Sequence, residues 1–317
     1  MREPAQITLL PDGRRLHLHD GPIDLIIEAF GATHEVNLAY RAAAARFVTL
    51  LDELCDELPL LRQPARVGGP QPAGVVAKRM VAAVLPYCER AFITPMAAVA
   101  GAVAEEILAA MTSAGNLSRA YVNNGGDIAL HLAPGESFIV GMVERPDHPS
   151  LFGKVALHSA QPVRGIATSG WRGRSFSLGI ADAVTVLADR AAVADAAATI
   201  IANAVDLPGH PNVTRIPARH LAPDNDLGDL LVTQDVGGLA ADEIAAALDA
   251  GIVVAQRLVS ERLVRSAALH LRGSTKIIDS TPNSAQPHRT PRQFPANSAI
   301  LAFLGTKPEA GTSTKIR

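Results

Sequence analysis

Short alternating apolar runs open the chain. Residues 5–10 and 14–19 flank Pro11-Asp12-Gly13, a pattern that predicts a β-hairpin. Residues 22–30 (PIDLIIEAF) predict a third strand ending at Gly31. From His34 to about Leu58 the apolar period lengthens to that of a helix, with Leu38, Ala42, Ala45, Phe47, Leu50, Leu51 and Leu54 near 3.6 spacing. Residues 62–74 carry three Pro and three Gly, so they read as a loop and a boundary. A short helix is expected around 75–85.

The middle of the chain reads as α/β. A helix is expected from Pro95 to about Met111, then strands at 119–123, 127–132 and 137–143, with two more at 154–158 and 163–168. Residues 183–188 predict a buried strand, 190–205 a buried helix and 239–256 an Ala-rich helix. The segment 257–279 fits neither period cleanly. Residues 279–292 read as loop, 297–304 as an edge strand and 305–317 as a tail. The organisation expected is a module of strands and a helix over 1–62, intertwined with a core over 75–305, and a tail over 306–317.

Composition narrows the class. The chain has 317 residues, 48% apolar and 19% charged, which supports a substantial core. The formal net charge is −2 and aromatics are 4%, so neither a basic footprint nor a base-stacking platform points to nucleic acid. Cys55 and Cys88 make no CxxC pair, which argues against a thiolate zinc site. The N-terminus lacks a signal-peptide apolar region. The apolar stretch Phe92 to Ala104 is broken by Glu105 and Glu106, so no membrane span and a cytoplasmic location are expected.

One helix carries the most information. In AAVADAAATIIANAV (191–205) the polar residues are Asp195, Thr199 and Asn203, at i, i+4 and i+8 on one face. A carboxylate among Ala, Val and Ile is costly unless something balances it. It can meet an arginine or cap a neighbouring loop. Alternatively, Asp195 and Thr199, one turn apart, can reach a single Mg²⁺ whose shell is completed by waters and a phosphate-bearing ligand.

Two glycine turns are further candidates. In Tyr121-Val-Asn-Asn-Gly-Gly-Asp127 the glycines suit a tight hairpin, and equally let a ligand approach the backbone beside Asn124 and Asp127. In Gly165-Ile-Ala-Thr-Ser-Gly170 the hydroxyls of Thr168 and Ser169 and nearby amides can hold a phosphate, with Arg172 or Arg174 adding charge and Trp171 offering a flat face. Thr94-Pro95 reads as an N-cap and first helical position. Glu105 and Glu106 either serve function or face water. His17 and His19 share one strand face and can bind a metal, with no third ligand in view. His131, His148 and His158 are scattered, and nothing selects a base among them. Cys88 reads as an inert, buried thiol.

Taken in order, FITPMAAVAGAVAEE, YVNNGGDIAL, GIATSG and AVTVLADRAAVADAAATIIAN resemble the ApbE superfamily of flavin transferases over roughly Thr94 to Asn203, closest to a short cytosolic branch. The resemblance implies an α/β (α+β) ApbE-like fold, mixed β-sheets packed with Ala-rich helices. It implies Mg²⁺ on Asp195, Thr199 and the carbonyl of Ala98. FAD or FMN would lie along Asn124, Gly125, Gly126, Asp127, Thr168, Ser169 and Gly170. The family's reaction, cleavage of the FAD pyrophosphate with FMN passed to an acceptor protein, would then be expected.

The chain departs from the family pattern between its TSG turn and its TV strand. The family has H-x-I-D-P-x-T-G there, whereas residues 171–182 contain no histidine and no such turn. A Lys-Gly in the first helix reads Gly101-Ala102. Asp182 is the candidate catalytic substitute. Two readings therefore stand side by side: a Mg²⁺-dependent flavin-nucleotide transferase or hydrolase, and a non-catalytic protein that binds a metabolite or partner. A homo-oligomer is compatible with both.

Overall fold

The computed structural model describes residues 4–143, 151–280 and 299–302. Their elements run β1 (Gln6–Leu9), β2 (Leu16–Asp20), β3 (Ile23–Phe30), α1 (Thr33–Asp56), α2 (Leu58–Leu61), α3 (Val75–Val84), α4 (Val99–Ala114), β4 (Arg119–Asn124), β5 (Asp127–Leu132), β6 (Ser137–Val143), β7 (Leu151–His158), β8 (Gly165–Ser169), β9 (Ala183–Ala188) and α5 (Ala191–Ala204). Then follow β10 (Val213–Pro217), α6 (Ala218–Leu221), β11 (Leu231–Val236), α7 (Ala241–Ser260), β12 (Ser266–Leu271), β13 (Ser274–Asp279) and β14 (Ala299–Ala302).

Nine strands form one sheet in the order β1-β2-β3-β4-β5-β8-β9-β12-β13. Every neighbouring pair in it is antiparallel. The strands of the N-terminal segment are thus hydrogen-bonded into the same sheet as the rest. Parallel pairing occurs in the small sheet β14-β6-β7, between β14 and β6.

Alternation decides which face goes where. Leu16 and Leu18 on β2 and Leu25 and Ile27 on β3 are buried toward the helices, where Phe47, Leu50 and Leu54 of α1 meet them in one continuous core. Removing the fully buried Phe47 ring would cost about 3–5 kcal/mol. On the opposite face Tyr121, Ile128 and Leu130 pack with Phe138, Val140 and Leu157 of the β6–β7 hairpin. Toward β1 that hairpin no longer covers the sheet, and His17, His19 and Asp24 lie partly exposed on this open part.

Helices α4 and α5 lie at the centre, and small residues let them nearly touch. A Cβ on Gly101 would sit 2.4 Å from the Ala191 carbonyl oxygen, so only glycine allows this approach. Residues 95–114 are apolar enough by length and composition to cross a membrane. Here α4 is a core helix, with Ala102, Val103, Ala104, Ile107 and Met111 all fully buried.

Several local expectations are corrected. The helix expected from Pro95 begins as a 3₁₀ turn, Pro95–Ala98, and the α-helix starts at Val99. Thr94 and Pro95 do occupy the N-cap and first positions of that turn, but the Thr94 hydroxyl donates to Asp226 and makes no capping bond. The pair β10–β11 carries no clear strand pattern in the sequence, because its strands are short, lie apart from the main sheet and include Pro217. The ambiguous stretch 257–279 resolves into the end of α7 and the hairpin β12–β13. The loop expected at 279–292 and the tail at 305–317 lie almost wholly outside the described residues.

Candidate functional site

Three segments converge on the first turn of α4. Its N-cap residue, Ala98, has no side chain with which to satisfy the free N–H groups of that turn. The Asp195 carboxylate of α5 does so across the helix interface. Its Oδ2 accepts from the Gly101 N–H at 3.0 Å, with the Ala100 N–H beside it. Asn124, at the end of β4, donates to the Ala100 carbonyl at 3.2 Å. Asp195 thus caps a neighbouring helix, where the sequence suggested an arginine or a loop.

The capping is reciprocal. The start of α5 has no local side-chain cap either. Glu105 of α4 supplies one, accepting from the Ala192 N–H at 2.9 Å. Glu105 also pairs with Arg190 at 2.8 Å and Arg79 at 3.1 Å. Glu106 pairs with Arg46 and Arg79. Neither glutamate is a free solvent-facing acid: Glu105 ties α4 to α5, and Glu106 ties α4 to α1 and α3.

Asp195 differs from Glu105 in what faces it. Between Asn124 and Asp127 the chain turns through Gly125 and Gly126, both at positive φ (64° and 113°), as a two-residue hairpin loop requires. This brings Asp127 to Asp195. Asp127 accepts from the Thr168 N–H at 3.2 Å, tying the turn to the end of β8. Burial pushes its carboxyl up to about 7. The Asp195 carboxyl is raised well above the ordinary carboxylate range, first by burial and then by the negative charge of Asp127. Among the described residues Asp195 has no cationic partner.

The stripe on α5 behaves as one face. Asp195, Thr199 and Asn203 are each partly accessible on a helix whose neighbouring positions are largely buried. Asn203 is committed locally, accepting from the Leu178 N–H at 2.9 Å. Asp195 and Thr199 are left at the accessible edge. Asp195 and Thr199 offer a carboxylate and a hydroxyl one turn apart, with Asp127 facing Asp195, and oxygen donors are the kind that suit a hard divalent cation.

The other candidates separate by location. The Thr168 hydroxyl lies 3.0 Å from that of Thr185. Asp182 is buried and fully engaged: Oδ1 accepts from Trp171 Nε1 (3.1 Å) and Arg172 Nε (2.9 Å), and Oδ2 from the Arg272 N–H (2.7 Å). Trp171 is buried and covered by the Arg172 guanidinium at 4.3 Å, so it offers no open face for stacking. Arg172 is thereby spent, whereas Arg174 is exposed beside Gly125 and donates to the Pro22 carbonyl at 2.9 Å. His131 contacts the Leu117 carbonyl at 3.0 Å, and Cys88 is only half-buried. A shallow hollow of about 340 Å³ lies at the far end of α4, lined by residues 112–117 and His131.

Helices on one face of a nine-stranded antiparallel sheet, with a carboxylate pair at a helix start, define an α+β protein. A family model described as AbpE bacteria matches residues 7–277, and the chain belongs to that ApbE-like family. A UPF0280 protein of Methanopyrus kandleri is 45% identical over 129 residues, covering 40% of this chain and 48% of that one. One of Methanococcoides burtonii is 39% identical over 140 residues, covering 44% and 55%. The chain thus spans about half the length of these relatives. The apo flavinyl transferase ApbE of Pseudomonas stutzeri matches with a TM-score of 0.46 and 9% identity, over 87% of this chain and 95% of that one.

Proposed function

We propose that this protein binds a flavin nucleotide together with Mg²⁺ at the accessible edge of α5, and that it cleaves the FAD pyrophosphate or transfers FMN. The observation carrying this reading is the Asp127–Asp195 pair: two carboxylates face one another with no basic side chain against Asp195 among the described residues. Family membership supports the same reading. Asp195, Thr199 and the Ala98 carbonyl would hold the ion, with Asp127 as a second carboxylate. Bound there, Mg²⁺ would neutralise phosphate charge and so favour breakage of a P–O bond.

The chain's own groups do the remaining work. The Gly125-Gly126 turn lets a ligand come close to the backbone, and exposed Arg174 beside it offers positive charge to a phosphate. Asn124 holds the first turn of α4 in place, and Thr168, Ser169 and Gly170 would line the nucleotide. Asp182 acts as a positioning residue that fixes Trp171 and Arg172 behind the Gly170 turn. In the reaction the pyrophosphate P–O bond breaks and AMP leaves. The FMN phosphoryl group passes to water or to a hydroxyl of an acceptor protein.

A second reading is favoured by one observation, the absence of histidine from 171–182. In it the site binds the nucleotide and does not cleave it. Incubation of the protein with FAD and Mg²⁺, followed by chromatography of the flavins, separates the two. FMN and AMP from wild type, and none from Asp195→Asn, supports the enzyme. Intact FAD with a Mg²⁺-dependent rise in Tm supports the binder. Neither product nor shift with FAD, FMN or ADP removes both.

A further inference from the structure

We propose a second metal site of different chemistry, a zinc-type site formed by His17, His19 and Asp24 on the open face of the β2–β3 hairpin. The hairpin register places His19 directly opposite Asp24, and His17 two residues from His19 on the same face. His17 Nε2 lies 2.5 Å from Asp24 Oδ1, and the two imidazole centroids are 6.2 Å apart. One ligand atom from each of the three residues falls within 4.8 Å of the others. Among the described residues this is the group of three His, Cys, Asp or Glu side chains whose donor atoms come together.

The chemistry of the donors selects the cation. Two imidazoles and one carboxylate suit Zn²⁺ and similar divalent transition ions, and not Mg²⁺, which prefers oxygen. With bonds of about 2.0–2.1 Å, tetrahedral zinc holds its ligand atoms about 3.3 Å apart. His17 and Asp24 must therefore open slightly and His19 close in. All three side chains are partly exposed, on a paired two-strand frame, so rotation about side-chain bonds suffices. Three protein ligands leave a fourth position for water or a donor from another molecule.

The placement sets this site apart from the carboxylate pair. His17, His19 and Asp24 face away from the helix-covered core, whereas Asp195 lies within the helix layer. The hairpin still touches the first site's surroundings, since Pro22 accepts from Arg174. A zinc ion would tie β2 to β3 across the uncovered part of the sheet.

Calorimetric titration of the full chain with Zn²⁺, in the absence of nucleotide, tests the site. One equivalent should bind to wild type and to Asp127→Asn/Asp195→Asn alike. His17→Ala and His19→Ala should each weaken that binding by about tenfold or more, and Asp24→Asn should weaken it by a smaller factor. The wild-type protein gives an independent readout: the ring signals of His17 and His19 in NMR should shift together as zinc is added. The proposal fails if zinc affinity is unchanged in both histidine variants. It fails equally if zinc binding disappears only with the Asp127/Asp195 substitutions, or if the two ring signals do not respond.

Discussion

Glu105 and Asp195 perform the same task at the same interface. Each is a carboxylate on one helix that accepts from the free N–H groups at the start of the other. Glu105 does so with Arg79 and Arg190 against it. Asp195 does so with another carboxylate opposite, and its proton affinity rises, first through burial and then through that negative charge. A structural cap needs only the first arrangement. The second keeps a repulsion that the fold alone gains nothing from, and that a bound cation would remove.

The largest effect that tests this contrast should come from the balanced partner. Glu105→Ala strips a cap from α5 and leaves Arg79, mostly buried, without one of its two acids. Loss of charged hydrogen bonds at a partly buried position costs about 2–3 kcal/mol. Urea unfolding should show that loss with or without Mg²⁺. A variant as stable as wild type would mean that the arginines contribute little here, and the comparison would lose one arm.

Asp195→Asn should act in the opposite direction. The amide oxygen can still accept from Gly101, while the repulsion with Asp127 is gone. In chelator at pH 8 the variant should be more stable by about 1 kcal/mol, or about 2 °C in Tm. The wild-type pH dependence follows from the same pair. Both carboxyls have folded-state pKa values above the unfolded value of 3.8, Asp127 reaching about 7. Between roughly pH 4 and 7 the native state therefore binds more protons than the unfolded chain. Asp127's contribution must become less favourable as pH rises from about 4 through about 7, and Asp195's changes in the same direction. Added Mg²⁺ should raise Tm more at pH 8 than at pH 5, and should lose that effect in Asp195→Asn. A Mg²⁺ response that is the same at both pH values, or that survives the substitution, would place the ion elsewhere.

Half of this contrast is visible in the sequence. Asp195, Thr199 and Asn203 stand out because everything around them on α5 is apolar, and helical spacing alone puts them on one face. The hairpin at Gly125-Gly126 is equally local. What faces each carboxylate is not local. Asp127 reaches Asp195 through a sheet, a turn and a helix whose relative placement no spacing rule gives. Asp182 shows the same limit: its partners Trp171 and Arg172 lie nearby, but Arg272 arrives from a distant hairpin, and the three together engage both carboxylate oxygens. Asp24 was within reach of sequence reasoning. Once Gly21-Pro22 is taken as the turn between β2 and β3, the antiparallel register pairs His19 with Asp24, the third ligand that the two histidines lacked.

The smallest expected effect separates the two arginines that the sequence left equivalent. Arg172 is enclosed between Trp171 and Asp182, so its charge is already answered. Arg174 is exposed, and a backbone carbonyl takes only one of its donors. An exposed guanidinium facing a phosphate gains little Coulomb energy in water, so Arg174→Ala should weaken ADP or FMN binding about three- to tenfold and leave Tm without ligand almost unmoved. Arg172→Ala should do the reverse, because it exposes the buried indole and leaves Asp182 short of a donor. Titration calorimetry on both variants, paired with their melting curves, reads the difference. If Arg172→Ala costs affinity at full stability while Arg174→Ala costs none, the phosphate lies on the Trp171 side of the turn, and the nucleotide must be turned around within the site.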